Sequence, residues 1–83
     1  MESNNNDSNN VVYTGVVIFF DSKRGYGFIG YEIDGVKQRD SFVHYSDLNV
    51  QGFKTLYKDQ KVSFSIGKNR NGDPKAINVT VIP

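Results

Sequence analysis

Short stretches in which apolar and polar residues alternate follow one another along the chain from Val11 onward. The clearest is Gln60–Gly67, where single polar residues separate Val62, Phe64 and Ile66. Alternation with a period of two is typical of a half-buried strand. Together with runs of β-branched and aromatic residues bounded by turn residues, it predicts five strands: Val11–Asp21, Tyr26–Ile33, Ser41–Tyr45, Gln60–Gly67 and Lys75–Ile82.

The connections between these strands are rich in residues that favour turns. Three such clusters are Ser22–Gly25, Asp34–Gly35 and Asn69–Pro74. The longer connection 46–59 could form a helical turn at Ser46–Leu48 or within Gly52–Tyr57, but no segment keeps the 3.6-residue period of an amphipathic helix. The pattern therefore predicts an all-β domain. Closing five short strands into a small barrel would remove the exposed sheet edges.

The length and composition of the chain limit its class. At 83 residues it is long enough for one domain. The segment 1–10 has no apolar residue after Met1, so we expect a disordered tail followed by a single domain over 11–83. The chain has no cysteine and one histidine, which excludes disulfides and makes a metal site improbable. No apolar run approaches the roughly 20 residues that span a bilayer. We expect a cytoplasmic protein without a membrane partner.

The net charge of the chain gives little support for a nucleic-acid partner, whereas its aromatic content is compatible with one. The formal net charge is +1, and without Glu2 and Asp7 of the tail the remaining chain has ten basic and seven acidic residues. Such a mildly basic surface is weak evidence for a nucleic-acid partner. The chain also contains six Phe and five Tyr. Any binding of nucleic acid should therefore depend more on stacking than on phosphate neutralisation.

The segment Arg24–Tyr31, RGYGFIGY, carries the most specific pattern. It matches the aromatic RNA-binding pattern K/R-G-F/Y-G/A-F-V-x-F/Y at seven of eight positions, with Ile29 in place of valine. On a strand, Tyr26 and Phe28 share one face and Ile29 points to the other. Core packing of both rings is the simplest alternative, but the interleaved glycines make the rings poor core neighbours and leave space for a base to lie flat on them.

A second segment, Ser41–Tyr45, also places aromatic side chains on one face of a strand and an aliphatic one on the other. Alternation places Phe42 and His44 on one face and Val43 on the other. If Val43 and Ile29 lie in the core, Phe42 and His44 face solvent. An exposed aromatic patch of this kind usually marks a binding site.

These two segments resemble the nucleic-acid-binding motifs of the cold-shock domain family. RGYGFI and SFVHYSDL are similar to KGFGFI and VFVHFS, and the similarity extends over nearly all of residues 13–82. The resemblance implies a five-stranded antiparallel OB-fold barrel that binds single-stranded RNA or DNA with little sequence preference and acts as an RNA chaperone or regulator. By position, it implies a stacking platform of Phe19, Phe20, Tyr26, Phe28, Phe42, His44, Tyr45 and Phe53, with basic contacts from Lys23, Arg24 and Lys54.

The chain departs from the family pattern at several positions. Val16 and Ile18 stand where strand one often has lysine, which removes positive charge from the binding face. Ser41 replaces an aliphatic residue, and the loop 31–40 is longer than usual. The lost lysines leave open an alternative, an OB-fold module whose face binds a polypeptide.

Other classes fit less well. An RNA-recognition-motif fold needs two amphipathic helices, for which the chain has no segment. An enzyme is the weakest option, because the chain has no triad order, phosphate-binding glycine loop or paired acids. We therefore expect a monomeric binding module without catalytic residues, cofactor or metal.

Overall fold

The computed structural model describes residues 11–83, so the predicted disordered tail 1–10 lies outside the described residues. Within that range the chain forms antiparallel strands and a single 3-10 turn, Tyr45–Asp47. The strands are β1 (Tyr13–Asp21), β2 (Tyr26–Ile33), β3 (Val36–Lys37), β4 (Ser41–His44), β5 (Lys61–Lys68) and β6 (Pro74–Val81). Residues 11–83 include no helix with the length and apolarity needed to cross a bilayer.

The strands form one sheet in the order β3-β2-β1-β5-β6, and β4 pairs with the other part of β2. The two ends of the sheet approach each other, since β4 packs against β6. An isolated bridge joins Leu48 to Val79, where the backbone N–H of Asn49 donates to the Val79 carbonyl at 2.7 Å. An ion pair of 3.0 Å between Lys75 Nζ and Asp47 Oδ2 ties the 3-10 turn to β6. The predicted all-β, antiparallel OB-type architecture is confirmed.

The two-residue strand β3 is the main addition to the five predicted strands. Asp34 and Gly35 both have positive φ, 51° and 82°, and Ile33 pairs with Val36. Positive φ at both central residues is the geometry of a tight hairpin turn whose twist suits the flanking strands. The predicted turn at Asp34–Gly35 therefore connects β2 to β3 in a short hairpin at the C-terminal end of β2.

The core consists of one layer of apolar side chains inside the curved sheet, most of them aliphatic, with Phe64 as its one large ring. Ile29 and Val43, the two residues predicted to point inward, are 0% exposed. The rings of Tyr13, Phe20 and Tyr31 pack at the edges of this core. The fully buried apolar set is Val17, Ile29, Val43, Leu48, Leu56, Val62, Phe64, Ala76 and Val79.

An irregularity in β6 keeps two of these core residues on the same side. Asn78 has φ of 51°, in the left-handed region, beside a shift in the pairing of β5 and β6. Ala76 and Val79 both point inward although three positions separate them. Asparagine tolerates this backbone conformation better than most residues, which gives Asn78 a structural role.

Ser41 is buried without a partner for its hydroxyl. The side chain is 7% exposed and sits beside Ile29 at the start of β4, and Oγ has no hydrogen bond within the described structure. A buried hydroxyl without a partner costs about 1–3 kcal/mol. We expect Ser41→Val to raise the free energy of unfolding by about 1 kcal/mol, measured by urea denaturation. Ser41→Ala serves as the control that removes the hydroxyl without adding methyl groups, and a loss of stability in both variants would contradict the prediction.

Candidate nucleic-acid interface

A β-bulge in β1 decides which rings face outward. Val17 pairs with Ile29, but the next pair is Phe19 with Phe28, so Ile18 is the extra residue. Strict alternation would place Phe19 on the same side as the buried Val17. The bulge instead turns both Ile18 and Phe19 outward. Phe19 therefore reaches the same face as the rings of β2.

Four outward rings, Phe19, Tyr26, Phe28 and Phe42, form a continuous ring cluster. The centroid of Phe28 lies 5.7 Å from that of Phe19, 6.4 Å from Tyr26 and 5.9 Å from Phe42. Tyr26 and Phe42 are nearly parallel, with centroids 5.9 Å apart and planes at 22°. Because β1, β2 and β4 are neighbours in the sheet, these rings come from three strands but share one surface.

The ring cluster lies on the side of the sheet opposite the core. In β2 the buried residues Gly27 and Ile29 alternate with the half-buried Tyr26 and Phe28, and in β4 the buried Val43 separates the half-buried Phe42 and His44. The predicted orientation of these side chains is thus confirmed. Edge-to-face contacts within the cluster hold the rings in place and leave part of each ring open to solvent.

His44 and Tyr45 extend the ring cluster beyond Tyr26. His44 pairs with Tyr26 across the strands, and its ring centroid lies 4.5 Å from that of Tyr45. The backbone N–H of Ser46 donates to His44 Nδ1 at 3.3 Å. Ser46 Oγ lies 2.8 Å from the same nitrogen, so residue 46 fixes the orientation of the imidazole through Nδ1.

Gly25 supports Tyr45 at the start of β2. Its φ is +79°, and a Cβ added there would lie 2.4 Å from Tyr45 Cδ2. The N–H of Tyr45 donates to the Gly25 carbonyl at 2.8 Å. Glycine is therefore required here by both backbone conformation and close approach.

Asp21 organises the turn that presents Lys23 and Arg24. Its Oδ1 accepts hydrogen bonds from both backbone N–H groups at 3.0 Å. The N–H of Gly25 donates to the Asp21 carbonyl at 2.7 Å. The side-chain ion pair between Asp21 and Arg24 is long, 3.8 Å, and exposed, so it adds little. The carboxylate thus acts mainly on the backbone.

We expect Asp21→Ala to lower the free energy of unfolding by about 1 kcal/mol, because two turn N–H groups lose their acceptor. Asp21→Asn is the matched control, since its amide oxygen can still accept while the charge is removed. Thermal unfolding of the three proteins measures the difference. Equal destabilisation by both substitutions would show that the charge, and not the hydrogen bonds, matters.

Phe53 and Lys54 stand across a recess from Tyr45. Phe53 is 75% exposed and makes no ring pair within the described residues. The recess has a volume of about 330 Å³ and is lined by Lys23, Tyr45, Phe53 and Lys54 together with small turn residues. It lies at the end of the ring cluster where β1 ends and β2 begins. The structure therefore gathers these predicted residues around one opening.

Phe20 is the predicted platform residue that the structure does not bring to this surface. It pairs with Gly27, whose side of β2 faces the core, and its ring packs against the core. The cause is again the bulge, because adjacent residues after it alternate sides and Phe19 takes the outward position. Sequence position alone does not distinguish the two phenylalanines.

The motifs in the sequence did not predict which residues lie beside the ring cluster at the end away from Tyr45. Ile18 and Asp40 both lie against Gly30, two residues beyond Phe28; a Cβ built there would be 2.9 Å from Ile18 Cδ1 and 3.5 Å from Asp40 Oδ1. Lys37 Nζ donates to the same Asp40 oxygen at 3.0 Å. Gly30 was the available signal, since a glycine on an exposed strand face indicates close approach of another group.

Among residues 11–83, no group of three or more His, Asp or Glu side chains is placed to hold a metal ion. The surface offers flat aromatic rings, an imidazole and a few ammonium and guanidinium groups. Such groups bind planar, anionic ligands.

Comparison with known proteins agrees with this arrangement. Residues 13–82 match the family model described as the 'Cold-shock' DNA-binding domain. A cold shock-like protein of Thermotoga maritima is 46% identical over 68 residues, which cover 82% of this chain and 96% of that protein. A cold shock-like protein of Aquifex aeolicus is 43% identical over 70 residues, 84% of this chain and 94% of that protein. A probable cold shock protein A of Mycolicibacterium smegmatis is 43% identical over 68 residues, 82% of this chain and 96% of that protein.

Proposed function

Because this chain belongs to the cold-shock DNA-binding domain family, we propose that it binds single-stranded nucleic acid by stacking unpaired bases on its ring cluster. The observation that carries the proposal is the outward orientation of Phe19, Tyr26, Phe28 and Phe42 as one surface. Stacking on such rings contributes about 1–3 kcal/mol per base and tolerates any base, because every base has a π-face. The bound strand is therefore recognised with little sequence preference.

Bases must be unpaired to use this surface. In a duplex the faces of each base are covered by its neighbours, and the rings cannot reach them. His44 and Tyr45 continue the stacking surface, and Phe53 lines the recess at its end. A strand spread over these rings is held out of the continuous base stack that a duplex needs, which is the physical basis of the RNA-chaperone activity that we propose for the chain.

Phosphate contacts play a smaller part in this proposal. Lys23, Arg24 and Lys54 lie around the recess and its turn, and Val16 and Ile18 leave strand one without lysine at those positions. With three phosphate contacts on a single strand, the logarithm of the binding constant should fall with the logarithm of salt concentration with a slope of about −2. Fluorescence titrations of oligothymidylate over a range of salt measure this slope. A slope several times steeper would show that phosphate neutralisation dominates.

The test compares three ligands of the same length and sequence: single-stranded RNA, single-stranded DNA and the DNA duplex. Titrations followed by tyrosine fluorescence and by NMR shifts of the ring protons should show binding of one or both single strands and much weaker binding of the duplex. Chaperone activity is measured separately as faster opening of an RNA hairpin labelled at its ends. Absence of ring-proton shifts with both single strands would overturn the proposed function.

A further inference from the structure

A groove continues the outward face of the sheet beyond the ring cluster. Its floor is aliphatic, formed by Val16, Ile18 and Gly30, and its volume is about 600 Å³. This is within the range of about 300–1,000 Å³ that pockets for small ligands occupy. Val16 and Ile18 are 38% and 42% exposed, so their methyl groups face solvent. We call this surface the aliphatic groove.

The aliphatic groove is directly continuous with the ring cluster. Ile18 precedes Phe19 in β1, and Gly30 follows Phe28 by two residues on the same face of β2. The recess beside Tyr45 lies at the opposite end of the cluster. The rings therefore stand between two depressions, and an extended chain that crosses them from the recess reaches the groove next.

The aliphatic groove has one lysine that no carboxylate of residues 11–83 pairs with. Lys61 lines it from the start of β5 and makes no ion pair with residues 11–83. Lys37 lines the other side, where Asp40 holds its ammonium group at 3.0 Å. Glu32 is the acidic residue in the lining. Lys61 is thus the cation available to a phosphate.

We propose that the aliphatic groove holds the continuation of the same nucleic-acid strand, one nucleotide or more beyond the rings, with sugar and base packed on Ile18 and Val16 and a phosphate beside Lys61. This inference rests on the proposed function. The contact in the groove differs from that on the ring cluster, because aliphatic side chains bury the apolar faces of sugar and base without aromatic stacking. Val16 and Ile18, which stand where the family often has lysine in strand one, form this floor.

The experiment uses the full chain and oligothymidylates lengthened one nucleotide at a time. Affinity should keep rising after the ring protons have reached their limiting shifts, and the methyl resonances of Val16 and Ile18 should move only with the longer ligands. Ile18→Ala should lower affinity for the long ligand about fivefold and leave the affinity for the shortest binding ligand nearly unchanged. Val12→Ala, at an exposed valine outside the groove lining, is the matched control.

Lys61 is tested through salt dependence. Lys61→Gln should make the salt slope of the long ligand shallower by about 0.7 and leave that of the short ligand unchanged. Lys68→Gln, at the opposite end of the same strand, is the control and should change neither slope.

The outcomes separate this inference from the proposed function. Ring-proton shifts without any response of the groove methyls, and an affinity that stops rising with length, would overturn the inference and leave the proposed function standing. Absence of both responses would overturn the proposed function itself. Groove-methyl shifts with an acidic, apolar peptide but with no oligonucleotide would assign the groove to a polypeptide and also overturn the inference.

Discussion

Phe28→Ala is expected to weaken the binding of single-stranded DNA or RNA by about 1–3 kcal/mol, or roughly five- to 150-fold in affinity, while the protein stays folded. Phe28 contacts the three other rings of the cluster, so its loss removes one stacking surface and loosens its neighbours. The ring lies on the outward face, so the core beneath it is unchanged. Fluorescence titration measures the affinity, and thermal unfolding checks the fold.

Tyr57→Ala is the matched control for this variant. Tyr57 is an aromatic residue with 66% exposure, and it forms no ring pair within the described part of the chain. Its removal should leave affinity unchanged within about twofold, a free-energy change of less than 0.5 kcal/mol. A folded Phe28→Ala protein that binds as tightly as the parent would mean that bases do not use the ring cluster.

Gly27→Ala is expected to produce the largest loss of stability among the substitutions considered. A Cβ at this position would lie 2.2 Å from the Phe19 carbonyl oxygen and 2.7 Å from the Phe20 Cα, both backbone atoms. Backbone cannot move aside without opening the pairing of β1 with β2. We expect a loss of about 3 kcal/mol, the upper part of the usual cost of overpacking. A small domain has a total stability of only about 5–15 kcal/mol, so the midpoint of urea unfolding should fall sharply.

Gly30→Ala, on the same strand, is the control. It makes the same change from glycine to alanine at a position where the nearest atom belongs to a side chain and not to the backbone. There the nearest atom to the added Cβ is Ile18 Cδ1 at 2.9 Å, the end of a flexible side chain. Rotation of Ile18 can relieve this contact, so the loss should stay near or below about 1 kcal/mol. Equal stability of the two variants would show that the β1–β2 pairing yields easily and would contradict the explanation given for Gly27.

The bulge in β1 links these two predictions. It brings Phe19 opposite Phe28 and places Phe20 opposite Gly27. The outward ring thus depends on the lack of a side chain at Gly27, because the backbone of Phe19 and Phe20 passes close to that position. Substitution of Gly27 acts on the fold, whereas substitution of Phe28 acts on the surface that the fold presents. Measuring both separates the two effects.

Local preference and the alternation of side chains along strands predicted part of this structure from the residues alone. Turn residues and period-two patterns located five strands to within a few residues, and the pairs Phe28/Ile29 and Phe42/Val43 assigned rings and core to opposite faces. Each of these follows from neighbouring positions, because a strand turns successive side chains to opposite sides. The resemblance in RGYGFI and SFVHYSDL pointed to the family on the same local residues.

Features that depend on pairing between distant segments appeared only in the folded chain. The bulge at Ile18 separates Phe19 from Phe20, the left-handed Asn78 keeps Val79 in the core, and neither shift is visible without the partner strand. The aliphatic groove likewise exists only where β1, β2 and β5 lie side by side. An extra residue in a strand reverses the facing of every residue after it, and contacts across the sheet set where that residue lies.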